Sequence, residues 1–174
     1  MTERWFFHMF RDMRRKDQVL SREECLAVLD RGTSGVLAVH GDDGYPYAVP
    51  LSYAYEDGKL WFHCARQGHK LDAILRDPKV SFCVVDRDQV VPLEYTTYFR
   101  SVILFGKARV LEDPTEIRAA LEKLALRYAP EDSEAHREAI LKKELPVVVM
   151  VEIAVEHLSG KEAIELVRSC HVLE

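Results

Sequence analysis

The sequence predicts a mainly β fold of α+β character, an antiparallel β-barrel with peripheral helices. Three observations lead there. About six apolar or alternating segments are punctuated by Gly- and Asp-rich turns. Tyr95 to Leu111 alternates for longer than an ordinary sheet edge and contains Gly106, as a long bent barrel strand does. Helical patterns with caps fall at the joins and ends of the strand runs.

Ser21 and Glu24 have capping-box spacing and open a helix whose stripe is Cys25, Leu26 and Leu29 and which stops near Gly32. Gly35 to His40 is a buried strand, and Gly41-Asp42-Asp43-Gly44 turns it into a hairpin. In the next strand Tyr47, Val49, Leu51, Tyr53 and Tyr55 alternate with Ala48, Pro50, Ser52 and Ala54, giving one bulky and one small face. Pro50 cannot donate a ladder bond, which predicts an edge, a bulge or an opening of the sheet there. Glu56-Asp57-Gly58-Lys59 turns into Leu60 to Ala65, and a helix bearing Leu71, Ile74 and Leu75 ends at Asp77-Pro78. Val80 to Val85 is a core strand, 86–94 a polar loop, and Tyr95 to Leu111 the long strand. Asp113-Pro114 starts a helix that reaches Pro130, and a second runs from Ser133 to Glu144. Val147 to Val155, almost all apolar, predicts a strand buried on both faces, and Ser159 with Glu162 predicts the cap of a final helix.

Composition bounds the function. The 174 residues suit one domain, 1–174, with 48% hydrophobic and 30% charged residues. A net charge of −5 argues against a general nucleic-acid surface. Cys25, Cys64, Cys83 and Cys170 are widely spaced, which predicts free thiols in a reducing cytosol rather than a disulfide framework or a zinc site. The segment MTERWFFHMFRDMRRK has only a short apolar patch, so neither a signal peptide nor a membrane span is expected, and the protein is expected in the cytoplasm.

No P-loop, Rossmann glycine fingerprint, H-E-x-x-H or G-x-S-x-G motif occurs. What stands out is Arg66-Gln67-Gly68-His69-Lys70, a glycine among basic residues where a strand gives way to a helix. Unpaired N–H groups and the positive end of the helix dipole make that position a seat for a phosphate. The same residues also suit an exposed basic turn. His63 and His69 flank this loop and could converge on one ligand, although each also suits an ordinary strand or helix-start position, and no spacing specifies a metal. His40 and His157 suit structural positions, while His8, His136 and His171 carry no signal. Tyr95-Thr96-Thr97-Tyr98-Phe99-Arg100-Ser101 offers ring faces and polar donors to a heterocycle, or fills a barrel. Arg11, Arg14, Arg15 and Lys16 read as a solvated segment that at most closes over an anion.

In this order, MRRKDQVLS, GDDGYPYAVPLSYAY, LWFHCARQGHKLDAI, VSFCVV, YTTYFRSVILFGKARVL and VEIAVEHLSGKEAIELV resemble the pyridoxamine 5′-phosphate oxidase-like flavin proteins, most closely their nitroimidazole-resistance branch. The resemblance runs from Met13 to Val167. It implies a split β-barrel that forms a homodimer with FMN in clefts between the subunits. By position, Val49, Pro50, Leu51, Ser52 and Tyr53 would line the isoalloxazine edge, and His63, Cys64 and Ala65 would continue that wall. Gly68, His69 and Lys70 would reach the ribityl phosphate, and Tyr98, Arg100 and Ser101 would complete the cleft, from the same or the partner chain. His69 is the implied catalytic residue. The implied activity is electron transfer from a nicotinamide donor, NADH or NADPH, through FMN to a small nitro-aromatic, 5-nitroimidazole-like or related acceptor. The alternative is a non-catalytic flavin- or haem-binding or storage protein, with His63, His69 or His40 as iron ligand. No C-terminal Arg/Trp-rich segment like that of true pyridoxamine phosphate oxidases is present, which disfavours vitamin B6 oxidation.

Overall fold

The computed structural model describes residues 9–170, with side chains to Arg168. The first helix, α1 (Arg22–Arg31), starts as the sequence predicts: the Glu24 amide donates to Ser21 Oγ at 3.1 Å and the Ser21 amide to the Glu24 carboxylate at 2.7 Å. It is followed by β1 (Gly35–His40), β2 (Pro46–Leu51), β3 (Ala54–Glu56), β4 (Lys59–Ala65), α2 (His69–Arg76), β5 (Lys79–Val91) and β6 (Thr96–Val110). Then come α3 (Pro114–Tyr128), α4 (Glu134–Glu144), β7 (Val148–Glu162) and α5 (Ile164–Cys170). Asp113 and Ser133 accept hydrogen bonds from first-turn amides of α3 and α4, as their positions predict.

The strands form one antiparallel sheet in the order β2-β1-β5-β6-β7-β4-β3. Its two edge strands, β2 and β3, are consecutive in the chain and are separated only by Ser52 and Tyr53. Three Cα–Cα steps span at most about 11 Å, so the sheet has to curl until its edges nearly meet, which makes it a barrel. No ladder joins those edges, and the barrel is split there.

One inward core fills the barrel, built from Leu37, Tyr53, Leu60, Phe62, Phe82, Leu104 and Ile153 with Val28 and Leu29 of α1 closing an end. A second layer lies outside it, where Trp61 and Met150 on the outward faces of β4 and β7 meet Leu121, Leu124 and Leu141 of α3 and α4. This double cover explains why Met150 to Ile153 are buried in succession, as the apolar run predicts.

The sequence reading differs from the structure in three places and is refined at Gly106. The strand predicted from Tyr45 onward is two strands, because the chain changes edges at Ser52 and Tyr53. The loop predicted for 86–94 is mostly strand: past a bulge at Asp86, β5 continues beside β6 to Val91 as a polar ribbon with no buried face to impose alternation. At Gly106 the β6–β7 register shifts, and a side chain would come within 2.2 Å of the Ala154 carbonyl, so the predicted bend is a bulge. The predicted cap at Ser159 and Glu162 is a strand instead. Ser159 pairs with Ile103 and Glu162 with Arg100, and ladder bonds outweigh the local capping pattern.

The seam is held from α3. Tyr128 Oη accepts the Tyr53 amide at 2.9 Å and lies 2.8 Å from the Tyr53 carbonyl and 2.6 Å from that of Thr33. Arg127 donates to the carbonyls of Leu29, Asp30 and Gly32 at the end of α1. On the outer layer Glu152, 6% exposed, takes bonds from Trp61 Nε1 (3.1 Å) and Arg109 Nε (2.9 Å), with Lys59 Nζ at 3.1 Å. Burial pushes its pKa up, but the bonds from Arg109 and Lys59 outweigh that and hold it below the ordinary glutamate value.

Two outcomes are expected. Tyr128→Phe strips a bonding group from the seam and should cost about 1–3 kcal/mol of unfolding free energy, read from urea denaturation. Because the folded pKa of Glu152 is depressed, its contribution is complete above the unfolded value of about 4.3 and fades as pH falls through the folded pKa. Urea midpoints between pH 6 and pH 3, taken as about that acid range, should therefore fall less steeply in Glu152→Gln than in the wild type.

Candidate functional site

At the end of β4 the chain passes through Arg66, Gln67 and Gly68 into α2. Gly68 has φ 139° and ψ 162°, a conformation essentially restricted to glycine, and the space where a side chain would project is open for 4 Å. Its carbonyl accepts the amides of Leu71 (2.9 Å) and Asp72 (3.1 Å), and no side chain caps the helix. Lys70 is half-buried in the first turn, while Arg66 is tied to the Pro146 carbonyl.

His69, also in that turn, is turned toward the β1–β2 connection. Its ring stacks on Tyr47 at 4.1 Å between centroids, and Nε2 lies 3.5 Å from Asp42 Oδ2 without hydrogen-bond geometry. Nε2 is sealed from solvent, so the exposed part of the side chain is the remainder of the ring. Gly41 makes this possible, since a side chain there would come 3.2 Å from Nε2. At the other end of α2, Arg76 donates to the carbonyls of His40 (2.9 Å) and Gly41 (3.0 Å) and to Asp42 (3.1 Å). The helix is thus clamped to the turn at both ends.

The other predicted site residues divide by the pleat. On β2, Val49 and Leu51 lean against the barrel core while Pro50 is exposed; Ser52, just beyond the strand, is exposed as well. Tyr53 is fully buried, with its hydroxyl donating to the Leu29 carbonyl at 2.8 Å, and burial pushes its pKa up to about 12. On β4, Cys64 faces the core, where burial raises the thiol pKa, and His63 and Ala65 face outward. β3 pairs with β4 only as far as Trp61, which leaves Phe62 to Ala65 without a strand partner on that side. Ser52 and His63 line one mostly apolar cavity of about 380 Å³ whose far wall includes Leu124, Ile140 and Leu141. The two histidines flanking the loop have different surroundings, His63 in this cavity and His69 against the turn.

Tyr98, Arg100 and Ser101 lie on β6, which is separated from β2 by β1 and β5 and from β4 by β7. Within one chain they do not join the wall formed by β2 and β4. Tyr98 donates to Glu94 at 2.8 Å. Arg100 is held by Glu162 at 2.7 Å and by Asp86 at 3.5 Å, and Asp86 also binds Arg31; this carboxyl pKa is lowered first by the Arg31 bond. Ser101 lines a further cavity beneath Arg11, Arg14 and Arg15, which sequence reading left as a solvated segment.

Linear pattern also gave no hint of the Tyr47–His69 stack, because 22 positions separate the rings and only the fold joins them. His40 lies 3.3 Å from Asp77, His136 2.9 Å from Asp132, and His157 stacks on Phe10. His8 and His171 lie outside the described residues. Cys25, Cys64 and Cys83 are free thiols. Among the described residues no cluster of three or more His, Cys, Asp or Glu could hold a metal, and no helix is long and apolar enough to cross a membrane.

Several solved structures share this architecture. A Bacteroides thetaiotaomicron protein, named as a candidate 5-nitroimidazole antibiotic resistance protein, is 21% identical with a TM-score of 0.69, over 83% of this chain and 86% of that one. A Mesorhizobium loti FAD-binding protein is 26% identical with a TM-score of 0.60, over 84% and 97%. A Mycobacterium smegmatis FAD- and haem-binding protein is 26% identical with a TM-score of 0.70, over 85% and 74%. No curated protein sequence matches. Residues 21–162, from the α1 cap to the last residue of β7, match the family model for pyridoxamine 5′-phosphate oxidase, and the chain belongs to that family.

Proposed function

We propose that this protein is a flavin-dependent oxidoreductase that binds FMN as a homodimer and reduces small acceptors of the nitro-aromatic kind. The observation that carries the reading is the start of α2. An uncapped first turn with Lys70 beside it opens onto free space above Gly68, at the end of the outward wall of β4. That is the chemistry a phosphate group needs. The flavin- and haem-binding proteins of the same fold support the class of cofactor.

Lys70 and the first-turn amides would hold the phosphate. Pro50, Ser52, His63 and Ala65, the outward residues flanking the split, would hold the ring, with room left by the small side chains and hydrogen bonds from Ser52 and His63. When bound, the flavin supplies electron transfer between a nicotinamide donor and the acceptor. His69 would hold or release a proton through the exposed part of its ring, while Tyr47 fixes the plane of that ring.

The second subunit would supply Tyr98 and Ser101. A row of outward residues in register across β1, β5 and β6, namely Val36, Cys83 and Ile103, with Val85 59% exposed, is an apolar face that suits a second copy of the chain. Haem is the second reading, favoured by one observation: His63 lines a mostly apolar cavity shared with Leu121, Leu124, Ile140 and Leu141.

Lys70→Gln should weaken FMN binding about tenfold or more, as expected for one lost bond to a charged group, followed by visible absorption on titration. Unchanged affinity would move the phosphate elsewhere. Val85→Glu should give monomers on sedimentation and lose flavin with them; a flavin-loaded monomer would contradict the shared cleft. In His69→Ala, turnover should fall while flavin is retained. A Soret band on haem addition that vanishes in His63→Ala would favour the second reading.

A further inference from the structure

Asp42, in the β1–β2 turn, serves both ends of α2 with one carboxylate. Oδ1 accepts from Arg76 Nη1 in the last turn of the helix at 3.1 Å, and Oδ2 lies 3.5 Å from His69 Nε2 in the first. His69 and Arg76 are seven positions apart and so share one face of the helix. The turn itself places the carboxylate: the Tyr45 amide donates to the Asp42 carbonyl at 3.0 Å and the Gly41 amide to the Tyr45 carbonyl at 2.9 Å. Arg76 adds bonds to the His40 and Gly41 carbonyls. Also at this junction are His40, 3.3 Å from Asp77 at the far end of α2, and Lys70, next to His69 in the chain.

The two nitrogens of the His69 ring are unlike. With the ring planes 28° apart, Tyr47 covers one face, and Gly41 leaves the space that Nε2 occupies. Nε2 is sealed from solvent, while Nδ1 belongs to the exposed remainder of the ring. Which nitrogen carries the proton of the neutral ring follows from what each faces. A carboxylate accepts hydrogen bonds and donates none. Opposite a bare Nε2 it would set negative charge against a lone pair where solvent does not reach. Opposite an N–H the same charge meets the positive end of the bond dipole. That attraction persists at 3.5 Å without ideal hydrogen-bond angles, because Coulomb forces fall off gradually with distance. The carboxylate therefore favours the proton on Nε2.

We propose that Asp42 is a positioning residue for His69: anchored by Arg76, it holds the proton of the neutral imidazole on Nε2 and leaves Nδ1 bare on the exposed side, at the start of α2. The part His69 plays in turnover rests on the flavin reading above, whereas the tautomer does not. Neutral His69 is then an acceptor at the site and donates only after Nδ1 has taken up a proton. That proton comes from solvent or from an N–H or O–H of the ligand, and it leaves by the same atom. The Nε2–H bond stays intact throughout, and the imidazolium formed in between is stabilised by the charge of Asp42. Ligand groups that donate hydrogen suit the resting ring, and an anion such as a phosphate is bonded only by the protonated one.

Long-range proton–nitrogen correlation spectra of the full-length protein, carrying isotope-labelled histidine, test the assignment without any ligand at about pH 9, where an ordinary imidazole is neutral. His69→Gln identifies the His69 resonances. The bare nitrogen of a neutral ring resonates far downfield of the protonated one, so the tautomer is read directly. The wild type is expected to carry the proton on Nε2. In Asp42→Asn, Arg76 keeps the side-chain oxygen and the amide N–H faces Nε2. The tautomer ratio should then shift toward Nδ1–H by about fivefold or more, the weight of one net hydrogen bond. A proton on Nδ1 in the wild type, or the same ratio in wild type and Asp42→Asn, would overturn the proposal. Adding FMN, with binding scored by visible absorption, should perturb Nδ1 more than Nε2; bound FMN that perturbs Nε2 and leaves Nδ1 unchanged would overturn the outward role of Nδ1. Absence of FMN binding would count against the flavin reading alone, since the ligand-free spectra decide the tautomer.

Discussion

The barrel depends on a two-residue connection. Because Ser52 and Tyr53 alone join strands at opposite ends of the sheet order, the sheet has to close, yet the joined edges cannot pair. The backbone groups stranded at that seam need partners, and a hydroxyl from a distant helix provides them. Arg127, the residue before Tyr128, ties the same helix end to three carbonyls at the end of α1, so α1, the seam and α3 become one unit. Burial of Tyr53 completes the arrangement: the side chain fills the barrel while its backbone bridges the opening.

The proposed flavin site lies at the same split. Where β3 stops pairing, the outward side of β4 carries His63 and Ala65 toward the start of α2, and Pro50 and Ser52 flank the other edge. A helix start directed at an opening is a natural anion seat, and the clamp of His69 and Arg76 on the β1–β2 turn keeps α2 in place. Arg100, which the family resemblance assigns to the cofactor cleft, is paired with Glu162 and Asp86. In this chain it joins β5, β6 and β7 near the bulge.

How far this was legible in the sequence varied with how local the cause was. The caps of α1, α3 and α4, the hairpin turns, the Gly106 irregularity and the glycine at the start of α2 all follow from a few neighbouring residues. The extension of β5 past Asp86 did not, because a polar ribbon paired on one side has no hydrophobic period to reveal it. Ser159 and Glu162 misled for the opposite reason, a sound local capping pattern overridden by a long-range ladder. In the candidate site, alternation told Pro50 from Val49 and His63 from Cys64 only once it was known which face was inward. The Tyr47–His69 stack arises from tertiary placement alone.

The central claim is that the start of α2 holds the phosphate of a flavin. Titrating the protein with FMN and with riboflavin, which shares the ring but lacks the phosphate, and following quenching of flavin fluorescence, tests it most directly. The account predicts that FMN binds at least about tenfold more tightly than riboflavin, the margin expected when a charge-assisted phosphate contact is present in one ligand and missing in the other. Equal affinities, or no binding of either, would contradict it.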